Sequence, residues 1–305
     1  MTYYSPAAYA ALYHAIPIID QRLGISVTLD IQRYVNGWTP ENQSEYFILL
    51  SKLAAKLKLK SPAAVRAQSQ PFFIKGHDPL INPAEEWYVP SLARAYECRA
   101  SPEEIADAVR LAHFCGMTNG NPKAYGEKWF GLDCNTFVGN WLGISPSSAI
   151  FAYAMGYGKS EKLLGATADV YATRNRLPLA LVTDAAKITE GTVACTFGEK
   201  DGRGFRWRHI ALVEKCELVQ GSTYNLWLAE WGTSGNIEKH RTPPGKPKQV
   251  QITSGKFCAE MPTKEVLAFD GTDPGGKPAK RIFFDGSSLD DLPHRGWHVG
   301  GMYGV

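Results

Sequence analysis

The chain of 305 residues is predicted to fold as an α+β protein, helices first and strands afterwards. Two observations predict this. Apolar residues recur at helical spacing through the first half, and from about residue 179 the pattern shortens to β-branched runs separated by Gly, Lys and Asp turns. Helices and strands segregated along the chain argue against alternating βαβ units.

The helical elements announce themselves by their starts. Ser5-Pro6, Thr39-Pro40, Ser61-Pro62 and Ser101-Pro102 each place a hydroxyl at a capping position before a proline at the first helical position. Between 40 and 59, Tyr46, Phe47, Leu49, Leu50, Leu53, Ala54 and Leu57 form an apolar face, and Lys52, Lys56, Lys58 and Lys60 read as a solvated one. Ser101-Pro102-Glu103-Glu104 is a capping box opening a helix to about Cys115. Gly116 and Asn119-Gly120-Asn121-Pro122 end it, and a loop leads to Cys134. Residues 134–142 read as a helix whose first residue is that cysteine, and Ser145-Pro146 opens another to about Met155. Strands are expected at Leu179–Val182, Thr192–Phe197, His209–Val213, Leu226–Glu230 and Arg281–Phe284. Residues 235–280, rich in Gly, Pro and Lys, are expected as long surface loops. The domain reading is an N-terminal helical region over 1–85 followed by a catalytic domain over 86–305.

Composition narrows the function. A hydrophobic share of 44% and a charged share of 21% suit a chain with a sizeable core. The net charge of +3 is too small to argue for nucleic acid and is compatible with an anionic polymer such as cell wall. The first 20 residues lack a basic segment followed by an apolar one, and no run approaches a membrane span, so synthesis in the cytosol without a cleavable signal and no membrane partner are expected. None of the six cysteines (Cys98, Cys115, Cys134, Cys195, Cys216, Cys258) forms a Cys-x-x-Cys pair. His294 and His298 have a helical metal-pair spacing, but Gly296 and Gly300 argue against a helix there. No metal and no cofactor are therefore expected.

Chemistry gathers at Gly131-Leu132-Asp133-Cys134-Asn135-Thr136-Phe137-Val138, where a polar turn becomes an apolar helix. A neutral thiol is a poor nucleophile, and two features would favour the thiolate: the N-terminus of the helix that Cys134 opens and an imidazolium within reach. His209, at the start of Arg208-His209-Ile210-Ala211-Leu212-Val213, is the candidate base. Glu230 ends the next strand and is placed to orient that imidazole, with Asp184 and Asn225 as alternatives. The Cys134 backbone N–H would supply part of an oxyanion hole. His240 is a rival histidine without matching context. Trp207, Trp227 and Trp231 flank the proposed site, and Trp207 is expected to line a cleft.

These residues resemble the NlpC-type and CHAP branch of papain-like cysteine peptidases. Asp133-Cys134-Asn135-Thr136-Phe137-Val138 is similar to the family's Asp-Cys helix start, and His209-Ile210-Ala211-Leu212-Val213-Glu214 to its His-Val-Ala-x-Val-Glu strand. Ala229-Glu230 resembles the CHAP glutamate, and Glu190-Gly191-Thr192-Val193 the Gly-Asp-Val strand start. The sequence departs from the pattern at Asn135-Thr136, at Thr192 and at Gly232, which leaves a fourth catalytic member unassigned. The resemblance implies a papain-like core, with the nucleophile helix packed on an antiparallel sheet and an insertion near 145–185. It also implies Tyr125 and Asp133 at the substrate cleft.

Family members mostly cleave amide bonds in peptidoglycan stem peptides, so the resemblance implies a cell-wall endopeptidase or amidase. Without an export signal, such an enzyme would be delivered by a secretion apparatus or released by lysis, as an antibacterial effector or a phage-type lysin. A neutralising immunity protein would then be a partner. The alternatives are a host-directed protease, deamidase or acyltransferase using the same residues, and a non-catalytic wall- or partner-binding module. Lipid-acting relatives place histidine before cysteine, the reverse of the order here.

Overall fold

The hydroxyl–proline pairs start helices where the sequence places them, because a side-chain oxygen satisfies an orphan N–H and proline has none to lose. In the computed structural model the described residues are 4–35, 38–66, 89–142, 180–199, 205–221, 223–231, 248–258, 266–272 and 278–285. They divide into two compact units, one of Leu12–Asp133 and one of residues up to Ala11 together with those from Cys134 onward. The division falls between Asp133 and Cys134. Among the described residues no helix is long and apolar enough to cross a membrane.

Helix α1 spans Pro6–Tyr13. In the Leu12–Asp133 unit, strands β1 (Ile16–Asp20) and β2 (Ile25–Leu29) form an antiparallel hairpin. The Asp20 carboxylate closes its turn by accepting from the backbone N–H groups of Arg22 and Leu23, each at 3.1 Å. This hairpin corrects the expectation of a purely helical region over 1–85. Ile16-Pro17-Ile18-Ile19-Asp20 buries alternate residues, a period of two that the neighbouring helix starts overshadow.

Helices α2 (Pro40–Lys56), α3 (Pro62–Arg66), α4 (Val89–Tyr96) and α5 (Pro102–Phe114) follow. Thr39 caps α2 by accepting from the Asn42 N–H at 3.1 Å. The capping box is complete at α5: Ser101 Oγ accepts from the Glu104 N–H, and Glu104 Oε2 accepts from the Ser101 N–H at 2.8 Å. Helix α6 (Pro122–Trp129) occupies the stretch expected as a loop before Cys134. Its start uses the same device with asparagine in place of serine: Asn121 Oδ1 accepts from the Ala124 N–H at 3.0 Å, and Pro122 follows.

The other unit is built on a sheet. Helix α7 (Cys134–Leu142) begins at the expected cysteine. The strands are β3 (Ala180–Val182), β4 (Val193–Glu199), β5 (Phe205–Gln220), β6 (Thr223–Ala229), β7 (Lys248–Cys258), β8 (Val266–Thr272) and β9 (Pro278–Asp285). All described pairings are antiparallel, in the order β3-β9-β4-β5-β6-β7-β8. A further pairing of β8 with β9 closes β9-β4-β5-β6-β7-β8 on itself. Strands β7 and β8 correct the reading of 235–280 as loops. Their Lys-, Gln- and Gly-containing sequences have weak strand preference, and the pairing partners on each side decide their state. The Ser145-Pro146 helix and most of the expected 145–185 insertion lie outside the described residues.

Ile210 to Val213 are buried without alternation, as a strand covered on both faces requires. One face joins Ala194, Ala211, Val213, Leu226, Leu228 and Phe283 in an apolar cluster, and α7 packs on β5. The turn into β4 is tailored to α7. Gly191 has φ +80°, and a Cβ built there would lie 2.6 Å from the ring of fully buried Trp141. Backbone conformation and lack of space both demand glycine. Gly191→Ala is expected to lower unfolding stability by roughly 1–3 kcal/mol in a urea titration, and partial relief is expected when Trp141→Phe is combined with it.

Candidate active site

Three side chains from separate elements converge in the unit that begins again at Cys134. Cys134 is the first residue of α7 and is 4% exposed. As the first helical residue, its N–H has no acceptor within the helix. His209 lies on β5 opposite Thr196 of β4, where the register shifts between Thr196 and Phe197. Such a bulge re-aims a side chain out of regular alternation. Glu230 follows the last residue of β6, whose ladder with β5 ends at Leu212 opposite Ala229.

His209 Nε2 is 2.8 Å from Glu230 Oε2, and both side chains are about nine-tenths buried. The distance is that of an ion pair, while its alignment falls short of a well-directed hydrogen bond. The Cys134 side chain lies near enough to the same imidazole to act on its titration, and neither ring nitrogen has a well-directed hydrogen bond. Burial alone would drive the imidazole toward its neutral form. The carboxylate of Glu230 and the negative charge of a Cys134 thiolate outweigh it and raise the His209 pKa to about 10. The imidazole is therefore held as a cation beside the Glu230 carboxylate with the Cys134 side chain next to it, the neighbours a thiolate–imidazolium couple needs.

The other described cysteines are held neutral. Burial pushes the thiols of Cys98 up to about 12 and of Cys115 and Cys216 to about 11. Cys195 on β4 is fully buried, and burial followed by the nearby charge of Cys134 raises it well above the ordinary thiol value. Only Cys134 among them is paired with an imidazole.

The remaining predicted residues fare differently. Tyr125, expected at the cleft, is buried. It lies in the Leu12–Asp133 unit, 6% exposed, with its hydroxyl 2.6 Å from that of Tyr96 and its ring edge-on to Phe130. Two buried hydroxyls satisfy each other there, which is a core role. Asp133 is likewise buried, at 6% exposure. Trp207 stands on β5 opposite Phe197, and its side chain lies outside the described residues. Trp231 is core, 4% exposed with its ring 6.4 Å from Phe137. Trp227 carries the Lys215 ammonium over its ring at 5.0 Å. Asp184 caps a short 3-10 turn over Ala185–Lys187, and Asn225 pairs with Glu217 toward the far end of the β5–β6 ladder. His240, His294 and His298 lie outside the described residues.

Sequence reading missed two features of this site. Arg281 on β9, 1% exposed, stands opposite Thr196 and so in the same cross-strand row as His209. A lone arginine in Arg281-Ile282-Phe283-Phe284 gives no signal beyond a strand start. Glu214 closes the family-like His-x-Ala-x-Val-Glu pattern and has a partner described below. Comparison with protein-family models, with curated proteins and with solved structures finds no match for the chain.

The sign of the linkage follows from the raised pKa of His209. An imidazole that titrates near 6.5 when unfolded and near 10 when folded stabilises fully below about pH 6.5, and that stabilisation is lost as pH rises through about 10. Urea midpoints from pH 6 to 10.5 are expected to fall progressively between about pH 6.5 and about 10 in the parent and to change less in Glu230→Gln. Parallel curves for the two proteins would contradict the ion pair.

Proposed function

We propose that the chain is a cysteine-dependent amide hydrolase with a papain-like core of the NlpC/CHAP kind. The observation that carries this reading is the imidazole of His209 at 2.8 Å from the carboxylate of Glu230 with the Cys134 side chain beside it. The Cys134 thiolate attacks the carbonyl carbon of a bound amide, and a C–S bond forms as the carbonyl oxygen takes up negative charge. The N–H of Cys134 is one donor for that oxygen. His209 transfers its proton to the departing amine as the C–N bond breaks, which leaves a thioester and a neutral imidazole. The imidazole then takes a proton from water as water attacks the thioester, and the acid product departs with the thiolate and imidazolium restored. Glu230 keeps the ring oriented and supports its charge in both steps.

The resemblance of Asp133-Cys134, His209-Ile210-Ala211 and Ala229-Glu230 to wall-cleaving enzymes makes peptidoglycan peptides the proposed substrate. Delivery by a secretion apparatus or by lysis, and an immunity protein as partner, belong to the same proposal. A host-directed protease, deamidase or acyltransferase would use the same three residues on a different carbonyl.

One observation favours a second, non-catalytic reading. Cys134 is only 4% exposed, so the three groups would serve as a buried polar cluster beneath a binding surface. Iodoacetamide labelling separates the two. The enzyme reading expects Cys134 to be alkylated at pH 7 at least tenfold faster than Cys98, Cys115, Cys195 and Cys216. It also expects mass spectrometry of digested peptidoglycan to show new free amino groups. Cys134→Ala and His209→Ala are expected to lose about 10⁴-fold in turnover and Glu230→Ala about 10- to 100-fold, since orientation contributes less than nucleophilicity. Unselective labelling with no released amine would favour the binding reading.

A further inference from the structure

Strand β5 carries a second irregularity five residues beyond His209. Val213 pairs with Leu228 and Lys215 with Trp227, so Glu214 is the extra residue of a bulge and has no cross-strand partner in the ladder. A bulged residue is turned out of the alternation and aimed elsewhere. Glu214 is aimed at the start of α1. Its Oε1 accepts from Ser5 Oγ at 2.8 Å, and its Oε2 accepts from the Ala7 N–H at 2.7 Å. A carboxylate at a helix N-terminus satisfies an orphan donor and meets the positive end of the helix. The strand at this point is itself pinned: the Gly191 N–H donates to the Val213 carbonyl and the Val213 N–H to the Thr192 carbonyl, both at 2.8 Å.

The same short segment grips α7. Trp141 Nε1–H donates to the Tyr4 carbonyl at 3.0 Å. Tyr9, fully buried, stacks on Phe137 with ring centroids 5.7 Å apart, one helical turn from Cys134. The strand that bears the imidazole and the helix that bears the sulfur are thus tied through residues 4–9.

We propose that residues 4–9, held by Glu214, are a strap that sets the nucleophile helix against the histidine strand, with Glu214 as a positioning residue for the Cys134–His209 pair. The catalytic part of this inference rests on the hydrolase reading. The mechanical part does not: a strap that fastens α7 to β5 governs the order of α7 whatever the chemistry.

The test uses the full chain. Glu214→Ala removes both acceptors. Glu214→Gln keeps a carbonyl oxygen for the Ala7 N–H and an amide that can donate to Ser5 Oγ. Ser5→Ala removes one bond only and serves if Glu214→Ala does not fold. Three readouts are compared with the parent: the rate of Cys134 alkylation by iodoacetamide at pH 7, the NMR titration of the His209 ring, and hydrogen exchange of the Phe137–Leu142 amides. Glu214→Ala is expected to slow alkylation at least tenfold, to move the His209 titration down by a unit or more, and to speed exchange in α7 at least tenfold. Glu214→Gln should restore all three to within about threefold. Ser5→Ala should fall between. A purely structural capping role would lower the melting temperature and leave the His209 titration in place.

Unchanged alkylation and titration in a folded Glu214→Ala, or in Ser5→Ala should that protein not fold, would overturn the positioning role. If parental Cys134 reacts no faster than the other cysteines, the hydrolase reading falls. The strap is then decided by hydrogen exchange alone, where unchanged protection of α7 overturns it and lost protection upholds it.

Discussion

A charged imidazole inside an apolar sheet is the constraint around which this unit is arranged. Burying an ion costs several kcal/mol unless it meets an opposite charge at close range. His209 meets one at 2.8 Å in Glu230, with the Cys134 side chain close by. Three elements must agree in position for that to hold: β5 for the ring, the end of β6 for the carboxylate and the start of α7 for the thiol. The first two are neighbours in one ladder, so their spacing is fixed by backbone hydrogen bonds. The third is a separate helix, and its position depends on packing.

Strand β5 answers that need through its departures from regularity. Its bulge next to His209 lies at the opening of the apolar run, and its bulge at Glu214 lies at the end of it. Between them Ile210 to Val213 are buried and continuous. One irregularity serves the imidazole and the other serves α1, while the regular part between carries the packing against α7 and the apolar cluster. The closing pairing of β8 with β9 limits how far the sheet can open beneath these residues. Closure also removes the free edges that an open sheet would expose there.

The legible parts of the fold were those with local physical signatures. Thr39-Pro40 and Ser101-Pro102-Glu103-Glu104 start helices because capping is decided within four residues. Cys134 opens α7 as read, and the runs around Val193, His209, Leu226 and Arg281 are strands. What sequence could not supply was set by distant partners. Lys248–Cys258 and Val266–Thr272 become strands by pairing across the sheet. Asn121-Pro122 had a readable helix start that the loop-like Asn119-Gly120 beside it concealed, Asn119 and Gly120 both adopting positive φ. At the site, Cys134, His209 and Glu230 were readable because a nucleophile, a base and an acid in that order on a helix and two strands imply one another. The pairing of Tyr125 with Tyr96 was not, since it is a contact between helices that no spacing reveals.

The strongest argument for chemistry over mere support in this cluster is energetic. A buried ion pair is commonly no better for stability than apolar residues of the same volume. Beside the ion pair the β4–β5 pairing carries Ala194, Cys195, Ile210, Ala211 and Leu212 fully buried, while buried Thr196 and Arg281 share the cross-strand row of His209. The chain places a histidine, a glutamate and a thiol together, and has Glu214 fasten the N-terminal helix that grips α7. Packing alone has no use for that outlay. The proposed thiol nucleophile would have one, because the geometry of such a pair must be held to within fractions of an ångström, and a strap at a bulge of the histidine's own strand supplies that tolerance.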